Sequence, residues 1–335
     1  MSHAAAIEAA LASYLGTAPS VTGLRRLAGG ASQEAWSLDL AIERSPGAPL
    51  ELVMRRDMGG ALSLATLSRD TEFAILQAAF AAGVPVPQPH FAPLDIDGKR
   101  AFFMQRVAGE AVGRKLVHDP AFAHARRVLP DQLAAALAAI HRVDFKAAGF
   151  EALIQHPSDA TRAVEREIAR IYRELDSLGD PHPVLEIALR WLHLHRPEPP
   201  DETVLVHADF RIGNVLVGAD GLQAVLDWEF THIGDPYEDV AWFLVRAWRF
   251  GAVALDGGGI CERETWLRAY ESASGRRLDR ARVTYWEVLG NVKWAVGAHM
   301  QARRHLSGQE PSIELASLGR IAAEMEWEAL RLIAA

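Results

Sequence analysis

Apolar positions in this chain follow two different periods. Toward the N-terminus they come in short runs bounded by turn residues. Leu50-Glu51-Leu52-Val53-Met54-Arg55-Arg56 alternates so that Val53 and Arg55 share a face, and residues 101–109 read as a strand running into a linker. Residues 25–38 have the pattern of a strand, a Gly-rich turn and a second strand. One helix interrupts them over 63–76, where Leu64, Leu67, Phe73 and Leu76 roughly keep helical spacing; Gly83-Val84-Pro85-Val86-Pro87-Gln88-Pro89 then ends it and opens an extended segment.

Past residues 107–115 the period becomes helical. Residues 131–141 form an alanine-rich helix. Asp235-Pro236 has an N-cap and first-turn proline that start a helix expected to run through Trp248, and further helices are predicted at 264–274, 280–306 and 312–333. Three short apolar runs break this part as buried strands: Val204-Leu205-Val206, Val215-Leu216-Val217 and Ala224-Val225-Leu226. The change of period divides the chain into 1–107 and 108–335.

With 335 residues and 50% hydrophobic content, the chain has material for two packed cores. A formal charge of −8 argues against a nucleic-acid partner, because phosphate-backbone binding needs clustered lysine and arginine. The absence of a long apolar stretch, and of a basic then apolar N-terminus, argues against membrane insertion and export. The lone Cys261 excludes an intrachain disulfide and fits a reducing compartment, so a cytoplasmic protein is expected. His141, His193 and His195 are assigned no chemistry.

The polar loops between the short strands carry the chemistry. His207-Ala208-Asp209-Phe210-Arg211-Ile212-Gly213-Asn214 follows the first strand, and Asp227-Trp228-Glu229 follows the third. Phosphoryl transfer needs a carboxylate to orient or deprotonate an acceptor hydroxyl, and hard oxygen ligands for the Mg2+ that neutralises the phosphates. Asp209, Asn214 and Asp227 supply that set.

The spacing from His207 through Asp209 to Asn214 resembles the catalytic loop of the protein-kinase-like superfamily. With Asp227-Trp228-Glu229 and Gly234-Asp235-Pro236-Tyr237-Glu238-Asp239-Val240-Ala241, it resembles the aminoglycoside phosphotransferase and choline kinase branch. The resemblance implies an α+β, two-lobed kinase-like fold, with a small N-terminal antiparallel β-sheet lobe bearing one helix and a larger, mainly helical C-terminal lobe. It implies ATP as phosphate donor, Asp209 as catalytic base, and Asn214 and Asp227 as Mg2+ ligands. His207 is expected to hold the loop backbone, Asp239 to support the loop, and Glu229 to assist a second metal or the acceptor.

In the N-terminal lobe the resemblance assigns nucleotide contacts to Gly29, Gly30 and Ser32 in the turn. It assigns the phosphate-gripping cation to Arg55, where lysine is usual, with Glu72 as its partner and Asp70 as a rival. Backbone groups of Gln105 to Val107 are expected on the adenine edge, with Met104 lining the pocket. Arginine is not a neutral replacement, since its planar fork sits differently from an ammonium.

The resemblance also places the acceptor pocket among the C-terminal helices. Trp242, Trp248, Trp286 and Trp294, with Arg246, Arg249, Lys293 and Arg303 nearby in sequence, suggest apolar walls with cationic residues and an anionic or apolar alcohol as the small-molecule hydroxyl acceptor. Kinase-like portions of this branch occur fused to acyl-CoA dehydrogenase domains, which makes a hydroxyacyl thioester a plausible acceptor; these 335 residues are not expected to hold a dehydrogenase as well. Alternatives are an aminoglycoside kinase, a nucleotide-binding pseudokinase suggested by Arg55, and a metal-dependent phosphoester hydrolase using His207, Asp209, Asp227 and Glu229. The hydrolase leaves Gly29, Gly30, Arg55 and Glu72 without a role.

Overall fold

Alternation along the early strands gives a sheet with two unlike faces. The computed structural model describes residues 2–27, 33–42, 48–57, 66–150 and 163–335. The chain divides into two units, Met1–Gly109 with Gln223–Thr231, and Glu110–Leu222 with His232–Ala335. Among the described residues of the first unit, β1 (Pro19–Arg26), β2 (Gln33–Ile42), β3 (Leu50–Asp57), β4 (Pro89–Ile96) and β5 (Lys99–Gln105) form a five-stranded sheet in the order β1-β2-β3-β5-β4. The described pairs are antiparallel, with Met54 opposite Trp36 and Phe103, and Arg55 opposite Ala35 and Phe102.

Residues directly opposite in an antiparallel ladder share a face. One face therefore gathers Leu38, Leu40, Leu52, Met54 and Phe103, and α1 (His3–Leu15) covers it with Ile7 and Leu11. Both side chains are fully buried, worth roughly 1.5–3 kcal/mol each. This helix was not legible in the sequence, because its apolar residues are mostly alanine. The opposite face carries Arg55, Phe102 and Met104, and α2 (Arg69–Ala81) packs there through Phe73, whose ring centre lies 5.7 Å from that of Phe102. The expected start of this helix at residue 63 is corrected to Arg69: the Ser68 hydroxyl accepts from the Thr71 N–H at 3.2 Å and caps it.

The second unit is mainly helical. It contains α3 (Gly113–His118), α4 (Ala123–His141), α5 (Ala163–Leu178), α6 (Pro183–Leu194), α7 (Pro236–Trp242), α8 (Arg263–Ser274), α9 (Arg280–Leu306) and α10 (Ile313–Ala334). The short strands β6 (Val204–Val206) and β9 (His232–Gly234) pair antiparallel, and β7 (Val215–Gly218) is followed by β8 (Gly221–Val225), whose residues from Gln223 on belong to the first unit. Phe210, Phe243 and Trp266 form an aromatic core, with the Phe243 and Trp266 rings 4.3 Å apart, so the polar loop after β6 is anchored by its own phenylalanine.

The expected helix through Trp248 is corrected. It ends at Trp242, and a 3-10 turn follows over Arg246–Arg249. Phe243, Leu244 and Val245 are all fully buried, and consecutive residues cannot all face inward from one amphipathic helix. Arg249 is also corrected from a pocket residue to an interior one. It is 2% exposed, and its Nη2 lies 2.9 Å from Glu328 and 3.4 Å from Glu287, both fully buried. Among the described residues, no helix is long and apolar enough to cross a membrane.

Candidate active site

In the first unit the segment after β8 is pinned by backbone bonds: the Val225 N–H donates to Pro85 O at 2.7 Å, and the Leu67 N–H donates to Glu229 O at 2.8 Å. Between these points Asp227 adopts a left-handed backbone with φ 69°. Aspartate tolerates this conformation better than most residues, and such strain concentrates at functional positions.

Arg55 reaches this segment from β3. Its Nη2 donates to Asp227 Oδ1 at 2.6 Å, and its Nη1 lies 3.3 Å from Glu72 Oε1. Burial works against the Arg55 charge, but Glu72 and Asp227 outweigh it and push the pKa up. Asp70, the rival for this pairing, instead faces Arg100 at 2.5 Å. Gln33 extends the network, accepting from Arg55 Nε at 2.7 Å and donating to Glu229 at 2.8 Å. Sequence reasoning missed Gln33, whose one signal was its place directly after the Gly-rich turn. Arg55, Glu72, Phe102, Met104 and Asp227 line one small cavity.

On the expected adenine edge, the Gln105 N–H donates to Gln88 O and the Arg106 N–H to Glu51 O, both at 2.8 Å, so these two donors are used within the protein. Gly29, Gly30 and Ser32 lie outside the described residues.

The second unit presents the other group of predicted residues. Asp209 is held on both carboxylate oxygens: Trp242 Nε1 donates to Oδ1 at 2.8 Å, Arg211 Nε to Oδ1 at 3.1 Å, and Asn214 Nδ2 to Oδ2 at 2.5 Å. Asn214 also donates to the Asp209 main-chain oxygen at 3.1 Å. Its amide nitrogen thus faces the aspartate, and its carbonyl oxygen is the end available for a hard cation.

Asp239 organises the loop from α7. It is fully buried and accepts the backbone N–H of His207 at 2.7 Å, that of Ala208 at 2.8 Å, and a bond from His141 Nε2 at 3.1 Å. Ala208 has φ 68°, a conformation costing roughly 1 kcal/mol or more that this carboxylate holds in place. His141 is fixed on its other nitrogen by the Tyr270 hydroxyl at 2.7 Å, and His207 Nδ1 accepts the Asp209 N–H at 3.2 Å.

A tryptophan wall stands beside Asp209. The rings of Trp242 and Trp248 are 5.6 Å apart, those of Trp248 and Trp294 6.3 Å, and Arg211 stacks over Trp248 at 4.4 Å. The cations expected there are already paired: Lys293 lies 3.2 Å from Glu167 and 3.4 Å from Glu238, and Arg246 lies 3.2 Å from Glu324. Arg303 bonds the Ser177 carbonyl, and Trp286 is buried against Asp235. The Cys261 thiol is buried and pushed up to about 12 by that burial, which makes it a passive thiol.

The sequence profile described as "Phosphotransferase enzyme family" matches residues 23–284. The chain belongs to this family. Solved structures share its fold. A Ralstonia eutropha protein designated an aminoglycoside phosphotransferase superposes with a TM-score of 0.74 at 22% identity, covering 98% of each chain. The aminoglycoside phosphotransferase APH(4)-Ia, in a ternary complex with AMP-PNP and hygromycin B, has a TM-score of 0.64 at 20% identity, over 98% of this chain and 99% of that one. A choline/ethanolamine kinase family protein from Mesorhizobium loti has a TM-score of 0.61 at 17% identity, over 94% and 89%.

In sequence, the phosphotransferase-family chain is 30% identical to mouse acyl-CoA dehydrogenase family member 10 over 200 residues, 57% of this chain and 18% of that protein. It is 24% identical to the Pongo abelii family member 11 over 273 residues, 78% and 34% respectively. The chain thus matches between 18% and 34% of the length of these relatives.

Proposed function

We propose that the protein is an ATP-dependent kinase of a small-molecule hydroxyl, with residues 1–107 as its nucleotide-binding lobe and 108–335 as its catalytic and acceptor lobe. The observation that carries this reading is the tethering of Asp209, with Asn214 Nδ2 on one oxygen and Trp242 with Arg211 on the other. So held, the carboxylate orients the acceptor hydroxyl and takes its proton as the acceptor oxygen bonds to the γ-phosphorus and the bond to the β–γ bridging oxygen breaks, releasing ADP.

Asn214 and Asp227 are the proposed holders of Mg2+, which when bound supplies charge neutralisation of the phosphates. Their hard oxygen chemistry fits that ion. So does the Arg55 network, where the carboxylates of Glu72, Asp227 and Glu229 gather around the guanidinium of Arg55, with that of Arg69 also on Glu72. Arg55 and the turn residues Gly29, Gly30 and Ser32 are assigned to the phosphates, and the backbone from Gln105 to Val107 to the adenine edge. AMP-PNP bound to APH(4)-Ia supports ATP as donor. The names of the sequence relatives and the tryptophan wall favour a hydroxyacyl thioester or another alcohol with apolar bulk as acceptor.

The test is the thermal unfolding midpoint with and without Mg-ATP, for the parent and Asp227→Ala. Ligand at about 100 times its dissociation constant adds roughly 2.7 kcal/mol of stability. The expected result is a clear rise in the parent that shrinks in the variant, followed by Asp209-dependent transfer to hydroxyl acceptors. An unchanged midpoint at saturating Mg-ATP and Mg-GTP overturns the reading.

A further inference from the structure

A second cluster of metal-binding side chains lies among the C-terminal helices, and phosphoryl transfer makes no use of it. His182 precedes α6, His299 lies on α9 and Glu326 on α10. Among the described residues these three offer ligand atoms that all lie within 4.8 Å of one another. The two imidazole rings are 4.5 Å apart, tilted by 49°, and His299 Nε2 lies 3.0 Å from Glu326 Oε1.

Local structure does not account for this arrangement. His182 sits at the N-cap of α6, yet its side chain makes no capping hydrogen bond. Two imidazoles at this distance repel whenever both are protonated, so their approach gains nothing by itself. Burial and His299 oppose a charge on His182, whereas the carboxylates of Glu326, Asp180 and Glu186 favour one. All three residues are partly exposed, so an ion reaches them without unfolding. His299 and Glu326 lie beyond residues 23–284, outside the stretch that matches the family.

We propose that His182, His299 and Glu326 form a binding site for a divalent transition-metal ion of the Zn2+ class. Two imidazole nitrogens and one carboxylate oxygen are a ligand set that Zn2+ favours and Mg2+ does not, with solvent left to complete the coordination. The ion replaces the present hydrogen bond between His299 and Glu326, His299 taking the tautomer that bares Nε2. It joins the start of α6 to α9 and α10.

The experiment titrates ZnCl2 into the full chain by calorimetry, and CoCl2 with the visible d–d spectrum as readout, for the parent, His182→Ala and Glu326→Gln. One equivalent bound, a rise in melting temperature reversed by EDTA, and affinity at least about tenfold weaker in both variants is the expected result. Excess MgCl2 leaves the Co2+ spectrum unchanged. His182 lies outside the helix and Gln retains an acceptor for His299, so both variants are expected to melt like the parent in EDTA. No binding, or equal affinity in all three proteins, overturns the site.

Discussion

Trp242 donates its indole N–H to the Asp209 carboxylate at 2.8 Å. The tryptophan is the last residue of α7, and its ring also packs on Trp248, so a variant that loses the donor but keeps an aromatic ring tests orientation of the proposed base. Trp242→Phe is expected to lower kcat about 10- to 100-fold, the scale of one lost hydrogen bond to a charged group, with KM for ATP unchanged. Steady-state phosphoryl transfer checks this, and an unchanged kcat removes Trp242 as a positioning residue.

Asp239→Asn is expected to destabilise the second unit by roughly 2–4 kcal/mol. The amide nitrogen would meet backbone N–H groups where carboxylate oxygens now accept them, leaving donors buried and unpaired. Denaturant unfolding measures the loss. Activity should fall as well, because Ala208 and Asp209 depend on those bonds for their backbone position.

Arg55→Ala takes the guanidinium away from Asp227 but leaves Glu72 with Arg69, so the expected loss is about 2–3 kcal/mol, below that for breaking an isolated buried pair. Arg55→Lys is expected to fall between the two, since one ammonium cannot reproduce a fork that bridges Glu72, Asp227 and Gln33. Thermal melts rank the three proteins, and a variant melting with the parent means that the bridge contributes nothing.

Acid should weaken the protein through Glu238. Burial alone raises its pKa, but His232 and Lys293 beside it prevail and bring it from the usual 4.5 to about 2. A carboxylate lowered on folding contributes stability that is complete above its unfolded pKa and is lost as pH falls through the folded one. The window therefore runs from about pH 4.5 down to about 2. In melts between pH 6 and 3, Glu238→Gln should lose less stability on acidification than the parent; parallel curves assign the acid sensitivity elsewhere.

Local pattern made much of this fold legible. The helix at 280–306 is observed with those bounds because Asp279 caps it and its length leaves no alternative, and the period-two face that pairs Val53 with Arg55 follows from strand geometry alone. The kinase-like architecture likewise follows from motifs that sit on short buried strands. Contacts between distant residues were legible only where a motif implied them: Asp239, expected to support the loop, reaches back 31 and 32 positions to two of its backbone amides, whereas Gln33, which meets Glu229 196 positions later, belonged to no such motif. The cations near the tryptophan wall misled for the same reason, since groups that hold them lie on other helices.

The burial of Arg249 has a consequence for the order in which the second unit folds. Its guanidinium is 2% exposed, and one of its counter-charges, Glu328, lies 79 residues further on in α10. Asp256 and Glu287 are made sooner and lie 2.8 and 3.4 Å from Arg249, so its compensation is built in steps as the chain is synthesised, the last of them when α10 delivers Glu328.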